Sequence, residues 1–253
     1  MRTLLTILIL SALTCKGQNT TTDVKNSQTF KSFYSAIRHQ FILIDSLREA
    51  NYDSVEAAND KLVQIIKSYK AAIFNFPDTL DYDLIYLAKS SDKKLALLSW
   101  DTRTGGTLIA FTTMAIFKTP QAIRTKMLAD TTNETMPYTY MHYNSIHTIT
   151  TADAKNIYLA WGNGQGSTAL PWQELRTFSI TENQLTEPEI FPDKTSSVYV
   201  EFDLHAFKDD QKVPVIRIKN SGKTFQVPIE GERQGFSGKY KTYIFNGKVF
   251  TAK

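Results

Sequence analysis

The residues most suggestive of function are three tryptophans and the glycines beside them. Trp161 and Trp172 flank Gly162-Asn163-Gly164-Gln165-Gly166, and Trp100 holds the equivalent place before Arg103-Thr104-Gly105-Gly106. Indole rings near sheet ends stack on sugar rings or anchor a protein partner. Asn163, Gln165, Ser167 and Glu174 are placed to add polar contacts. The competing reading is core packing, the commoner fate of aromatics. The glycine run also has the look of a phosphate cradle. A dinucleotide fingerprint, however, needs a helix opening at the loop so that free N–H groups meet the phosphate. Pro171 follows closely and no helical stripe comes after it. The plain reading of the run is a long, flexible turn.

The four histidines are His39, His142, His147 and His205. His142 and His147 are an odd number of residues apart, which on a regular strand puts them on opposite faces. His39 lies on the polar flank of a helix. Glu201, Asp203 and His205 alternate at period two, so one strand face would carry all three. Such a face could bind a metal or do acid–base work. It could equally be the wet side of a half-buried strand. Carboxylates for glycoside cleavage are available in Asp101, Glu174, Glu201 and Asp203, with nothing in the sequence selecting a pair. There is no G-x-S-x-G nucleophile elbow. No cofactor or metal is expected. Asn19-Thr20-Thr21 and Asn133-Glu134-Thr135 match glycosylation sequons, which bear only on a eukaryotic secretory route.

Cys15 is the sole cysteine. It excludes an intrachain disulfide, a redox pair and a cysteine zinc site. It sits at the end of Met1 to Gly17, which reads as a signal peptide: basic Arg2, then the apolar run Leu4 to Leu13. Ten helical residues span about 15 Å, roughly half a bilayer core, too short for an anchor. Two processing routes stay open. A signal peptidase cuts after Gly17, or Ala12-Leu13-Thr14-Cys15 serves as a lipobox and Cys15 is lipidated. A polar tether follows to about residue 27.

The chain has 253 residues and a net charge of +4. A hydrophobic fraction of 42% and a charged fraction of 21% fit a folded domain. Cleavage after Gly17 leaves 27 basic against 25 acidic residues, and no run of five like charges occurs. A balance this even gives no reason to expect a nucleic-acid partner.

The elements that must position these residues fall into two textures. From Gln28 to about Ala50, apolar residues at Phe30, Phe33, Ile37, Phe41, Ile44 and Leu47 define one helical face. Asp53 and Glu56 suggest a capping box for a second helix, which Pro77 stops after about Asn75. Together they predict an antiparallel helical hairpin over 28–76. From Leu80 onward, short β-branched and aromatic runs predict strands near 82–90, 94–101, 106–118, 121–129, 138–150, 156–162, 173–181, 197–205, 213–219, 223–229 and 238–252. Asn246-Gly247 is the signal of a type I′ hairpin turn. No helical crossovers intervene, so the sheet is antiparallel. The fold class is α+β: a helical hairpin, then an antiparallel β domain over 80–253, packed as one unit. A curved sheet, a sandwich or a propeller-like arrangement would all satisfy it.

Ser91 to Thr107 aligns without gaps on Ala152 to Thr168, at an offset of 61 residues. Asp92/Asp153, Lys94/Lys155, Leu98/Leu159, Trp100/Trp161, Gly105/Gly166 and Thr107/Thr168 coincide. A weaker third copy starts at Asp210. Repeats of hairpin units suggest blades, although the offset exceeds the usual blade period of about 40 to 50 residues.

The run Ser99-Trp100-Asp101-Thr102-Arg103-Thr104-Gly105-Gly106-Thr107 resembles a motif of uncharacterised bacterial exported proteins and lipoproteins. That resemblance implies an envelope or secreted location and no activity. The sequence therefore points first to a non-catalytic binding or interaction module of the cell envelope. Its binding residues would be Trp100, Trp161, Trp172, Asn163, Gln165 and Glu174. Its partner would be a glycan or an envelope protein, with the membrane reached only through a lipid on Cys15. The alternative is an exported hydrolase acting on glycans through acidic residues. A structural protein docking through its helical hairpin is a third possibility.

Overall fold

The computed structural model describes residues 27–48, 51–77, 85–128, 139–207, 212–231, 233 and 235–253. The signal segment with Cys15, the tether up to residue 26, both sequons and the start of the third repeat at Asp210 lie outside them.

Helix α1 spans Gln28–Leu47 and α2 spans Tyr52–Ser68. Ser27 caps α1, its hydroxyl accepting from the Phe30 amide at 3.2 Å. The cap of α2 is Asn51, whose Oδ1 accepts from the Asp53 amide at 2.9 Å. This places the cap two residues before the expected Asp53, because Asn51 holds the extended backbone a cap needs. The second helix also ends earlier than expected, and a short 3-10 turn, Ile73–Asn75, completes the run to Pro77. The buried Gln40 side chain donates to the Ala58 carbonyl and ties the helices together.

Three antiparallel sheets follow in chain order. The first joins β1 (Tyr86–Lys89), β2 (Leu95–Asp101), β3 (Phe111–Lys118) and β4 (Ile123–Met127) in sequence. The second joins β5 (Met141–Thr150), β6 (Asn156–Gln165), β7 (Pro171–Thr181) and β8 (Gln184–Thr186). Strand β9 (Ser197–Glu201) pairs with the first half of β7 on the edge whose other half takes β8. The third joins β10 (Arg217–Lys219), β11 (Thr224–Glu230), β12 (Phe236–Phe245) and β13 (Phe250–Ala252).

The layers stack as helices, first sheet, second sheet, third sheet. Trp100, Leu98, Ala96, Met114 and Ile116 face the helical hairpin. The alternate residues Leu95, Leu97, Ala115 and Phe117 face Tyr143, Tyr158 and Phe178 of the second sheet. Leu159 and Leu175, on the opposite side of that sheet, meet Phe225, Phe245 and Phe250 of the third. Most of both faces of the first two sheets is thus covered, so β2 and β3 are buried along nearly their whole lengths and β7 from Gln173 to Ser179. No apolar cluster joins the third sheet to the first among the described residues, so the stack is open.

The 61-residue repeat is structural. It brings the β1–β2 turn of the first meander into correspondence with the β5–β6 turn of the second. Lys93 and Ala154 both take positive φ, 54° and 60°. Ser90 and Thr151 hydroxyls donate to Asp92 and Asp153, and accept from the amides of Lys94 and Lys155.

Several sequence expectations are corrected. The Gly162–Gly166 run is no flexible turn: β6 continues through Gln165, and the turn is confined to Gly166–Leu170, closed by the Gly166 amide on the Leu170 carbonyl. The strand expected at 197–205 ends at Glu201, where the Phe202 amide bonds the Pro171 carbonyl. Asp203 then caps a 3-10 turn, accepting from the His205 amide, so Glu201, Asp203 and His205 do not share a strand face. The Asn246-Gly247 turn is not type I′. Of the pair only Gly247 has positive φ, while the Asn246 side chain accepts from the Lys248 and Val249 amides.

Candidate functional site

The Trp-Asp-Thr-Arg motif builds a latch between the helices and the first sheet. Trp100 is fully buried, and its indole N–H donates to Asn59 Oδ1 on α2 at 3.1 Å. The Asn59 amide in turn donates to the carbonyls of Thr102 and Val55, at 2.9 Å each. Arg103, at φ 62°, reaches back to Asp101 at 2.6 Å and across to Asp45 of α1 at 3.1 Å. Burial works against the Arg103 charge, but the two carboxylates outweigh it and raise its pKa. A Cβ on Gly105 would strike the Leu108 carbonyl and stand 2.7 Å from the Ala110 amide nitrogen, so the loop closes only around glycine. Trp100 is therefore a core residue with no surface open to a ligand.

The other sequence-expected binding residues are split by strand register. Trp161, Asn163 and Gln165 point to one face of the second sheet. Trp172 and Glu174 pair with Gly164 and Gly162 and point to the other. Trp161 packs against the third-sheet core. Asn163 accepts from Asn144 at 2.5 Å, and Gln165 donates to the Thr107 carbonyl at 3.5 Å. The structure does not bring these six residues into one site.

It does bring Trp172 to residues the sequence did not associate with it. Trp172 pairs across β9 with Glu201, and Glu174 with Tyr199. The Trp172 and Tyr199 rings lie 6.2 Å apart, tilted by 41°. The Tyr199 hydroxyl donates to Glu201 Oε2 at 2.9 Å. Gly164 and Gly166 form the floor under the indole. A Cβ on Gly164 would stand 2.7 Å from the Trp172 ring, and one on Gly166 would stand 3.5 Å from the ring and 3.7 Å from Glu201 Oε2. Trp172 is half-buried and Tyr199 is 53% exposed. Two aromatic faces, a hydrogen-bonded carboxylate and a bare glycine floor thus meet at one corner of the second sheet. Tyr199 was missed because its link to Trp172 is a cross-strand register, and sequence spacing does not encode register.

Behind this corner is a buried charged cluster. Arg176 forks onto Glu187, with Nε and Nη2 bonds of 2.9 and 2.8 Å. Glu174 and Arg176 are each 4% exposed, and Tyr143 is fully buried. Burial opposes the Arg176 charge, but Tyr143, Glu187 and Glu174 around it outweigh burial and raise its pKa. Burial pushes the Tyr143 phenol up as well. Glu174 is thus enclosed within the protein and presents no free carboxylate to a ligand.

Among the described residues the histidines are not grouped for a metal. A bulge at Asn144 resets the alternation of β5, so His142 and His147 register with Asn163 and Leu159, on the same side of β6. This corrects the expected opposite placement. The two still stand four residues apart along β6, about 13 Å, too far to share an ion. His142 stacks on Tyr86 at 3.8 Å and leans on Phe111 at 4.9 Å. Burial pushes its pKa down to about 4. Among the described residues no group of three His, Cys, Asp or Glu is placed to hold a metal. Among the described residues, grooves of about 290, 440 and 560 Å³ lie away from the aromatic corner: beside β1 and β5, at the hairpin turns near Lys94 and Thr181, and along α1.

The chain matches no protein-family model, no curated protein and no solved structure. The site must be read from its own chemistry.

Proposed function

We propose that this chain is an exported, non-catalytic binding module of the cell envelope that takes a glycan at the Trp172–Tyr199–Glu201 corner. The observation carrying this reading is the accessible, tilted indole–phenol pair beside a carboxylate, above Gly164 and Gly166. The C–H faces of a sugar ring stack on aromatic rings, while hydroxyls donate to a neighbouring carboxylate. Export is supported by the apolar run ahead of Cys15 and by the resemblance of the Ser-Trp-Asp motif to exported proteins. At this face the hydrolase alternative loses one of its candidate acids, since Glu174 is enclosed with Arg176.

Calorimetric titration with soluble N-acetylglucosamine oligomers and other envelope oligosaccharides tests the proposal. Trp172→Ala is expected to weaken binding roughly thirtyfold, equivalent to ~2 kcal/mol for a stacking anchor. Trp161→Ala, on the opposite face, is expected to leave it unchanged. Failure of every oligosaccharide to bind, or full affinity in Trp172→Ala, would refute it.

A further inference from the structure

The even net charge of the chain conceals a sharp asymmetry. Lys212 to Lys253 contains nine Lys and Arg against two acidic residues, Glu230 and Glu232. The rest of the chain has twenty basic against twenty-three acidic residues, so all the excess positive charge lies in the last sixth. That sixth is the third sheet, the terminal layer of the stack. All nine cations are exposed, and none makes an ion pair among the described residues. Arg217 and Lys219 pair with Gln226 and Thr224, on the side away from Phe225 and the core. Lys253 follows β13 along the same side, its amide on the Thr242 carbonyl. Arg217 lies over the Tyr240 ring, 3.9 Å from its centre.

The same segment supplies three of the eight large apolar side chains exposed among the described residues, Val215, Ile229 and Ile244. Unpaired cations interleaved with exposed aliphatics and a tyrosine are the composition of a surface that settles into a lipid interface. Binding a nucleic-acid or polysaccharide backbone would use the cations and leave Val215, Ile229 and Ile244 without a role.

We infer that the third sheet is a membrane-docking face that seats on anionic lipid headgroups. The helical hairpin is then the layer farthest from the bilayer, and the aromatic corner of the second sheet lies to the side. Contact of this kind needs no lipid on Cys15, and so extends the sequence expectation of a membrane reached only through that anchor.

The test is sedimentation of the full chain with phosphatidylcholine vesicles, with and without a phosphatidylglycerol fraction. The Leu4 to Leu13 run, with Arg2 and Lys16 beside it, is common to the chain and its variants, so the loss of anionic binding on substitution reports the charged face. Binding is expected on the anionic vesicles and is expected to fall as salt rises from about 0.1 M to about 1 M, as screening shortens from roughly 10 Å to 3 Å. The triple variant R217Q/K219Q/K253Q should lose roughly fivefold per charge, on the order of 100-fold in all. Arg217→Lys, which keeps the charge, should retain binding. Equal partition onto both vesicle types would overturn the inference, as would undiminished binding by the folded triple variant. Binding to heparin without binding to anionic vesicles would also overturn it, by assigning the face to a soluble polyanion.

Discussion

Trp100 and Trp172 show how one residue type takes two roles. The buried Trp100 has its single N–H satisfied by Asn59, and Asn59 spends its own amide on Thr102 and Val55. Asn59→Ala would leave the indole N–H and the Thr102 carbonyl without these partners, an expected loss of about 2–3 kcal/mol in urea unfolding. Trp172 rests on glycines instead. Gly164→Ala would push a methyl group into the indole and the Tyr140 carbonyl, so it should weaken ligand binding. His142 gives a pH signature. Its folded pKa of about 4 lies below the ordinary 6.5, so the unfolded chain takes up the proton first. Stability from the neutral ring is complete above pH 6.5 and is lost as pH falls toward 4, by no more than about 3 kcal/mol. Unfolding followed between pH 7 and 5 should show this slope, and His142→Phe should reduce it to the part left by His147, which burial also lowers.

Among the elements, the two helices and most strands are legible in the sequence because their periods, 3.6 and 2, are set by which side is buried. The two meanders are legible through their shared turn, where Asp92 and Asp153 repeat one hydrogen-bond pattern. Register is not legible. It sends Trp161 and Trp172 to opposite faces and brings Tyr199 beside Trp172. The Asn144 bulge that reunites His142 and His147 on one side carries no sequence mark either. Nor does the glycine run announce itself as strand, since Gly162 and Gly164 are there for close approach by Met141, His142, Tyr140 and Trp172. The hairpin is part of the core, because among the described residues it is what covers Leu87, Leu98, Trp100, Met114 and Ile116. Deleting 28–76 should therefore unfold the first sheet, visible as lost cooperativity in thermal unfolding. A β remainder with native cooperativity would show the hairpin to be an accessory.

For the whole molecule, the order of the layers matters more than the total charge. A net charge of +4 looks unremarkable only because it sums an acidic excess over the first 211 residues and a basic excess in the third sheet. That asymmetry is legible in the sequence once the chain is divided at the third sheet, but the division becomes visible only with the sheet boundaries. No described helix is long and apolar enough to cross a membrane. Surface contact through the third sheet needs none. Glycan binding at the aromatic corner of the second sheet is tested most directly by amide and indole NMR during titration with an N-acetylglucosamine oligomer. Shifts are expected at the Trp172 indole N–H and the amides of Gly164, Gly166, Tyr199 and Glu201, with Trp100 unmoved. Saturable shifts confined to other residues, or none at any oligomer concentration, would contradict it.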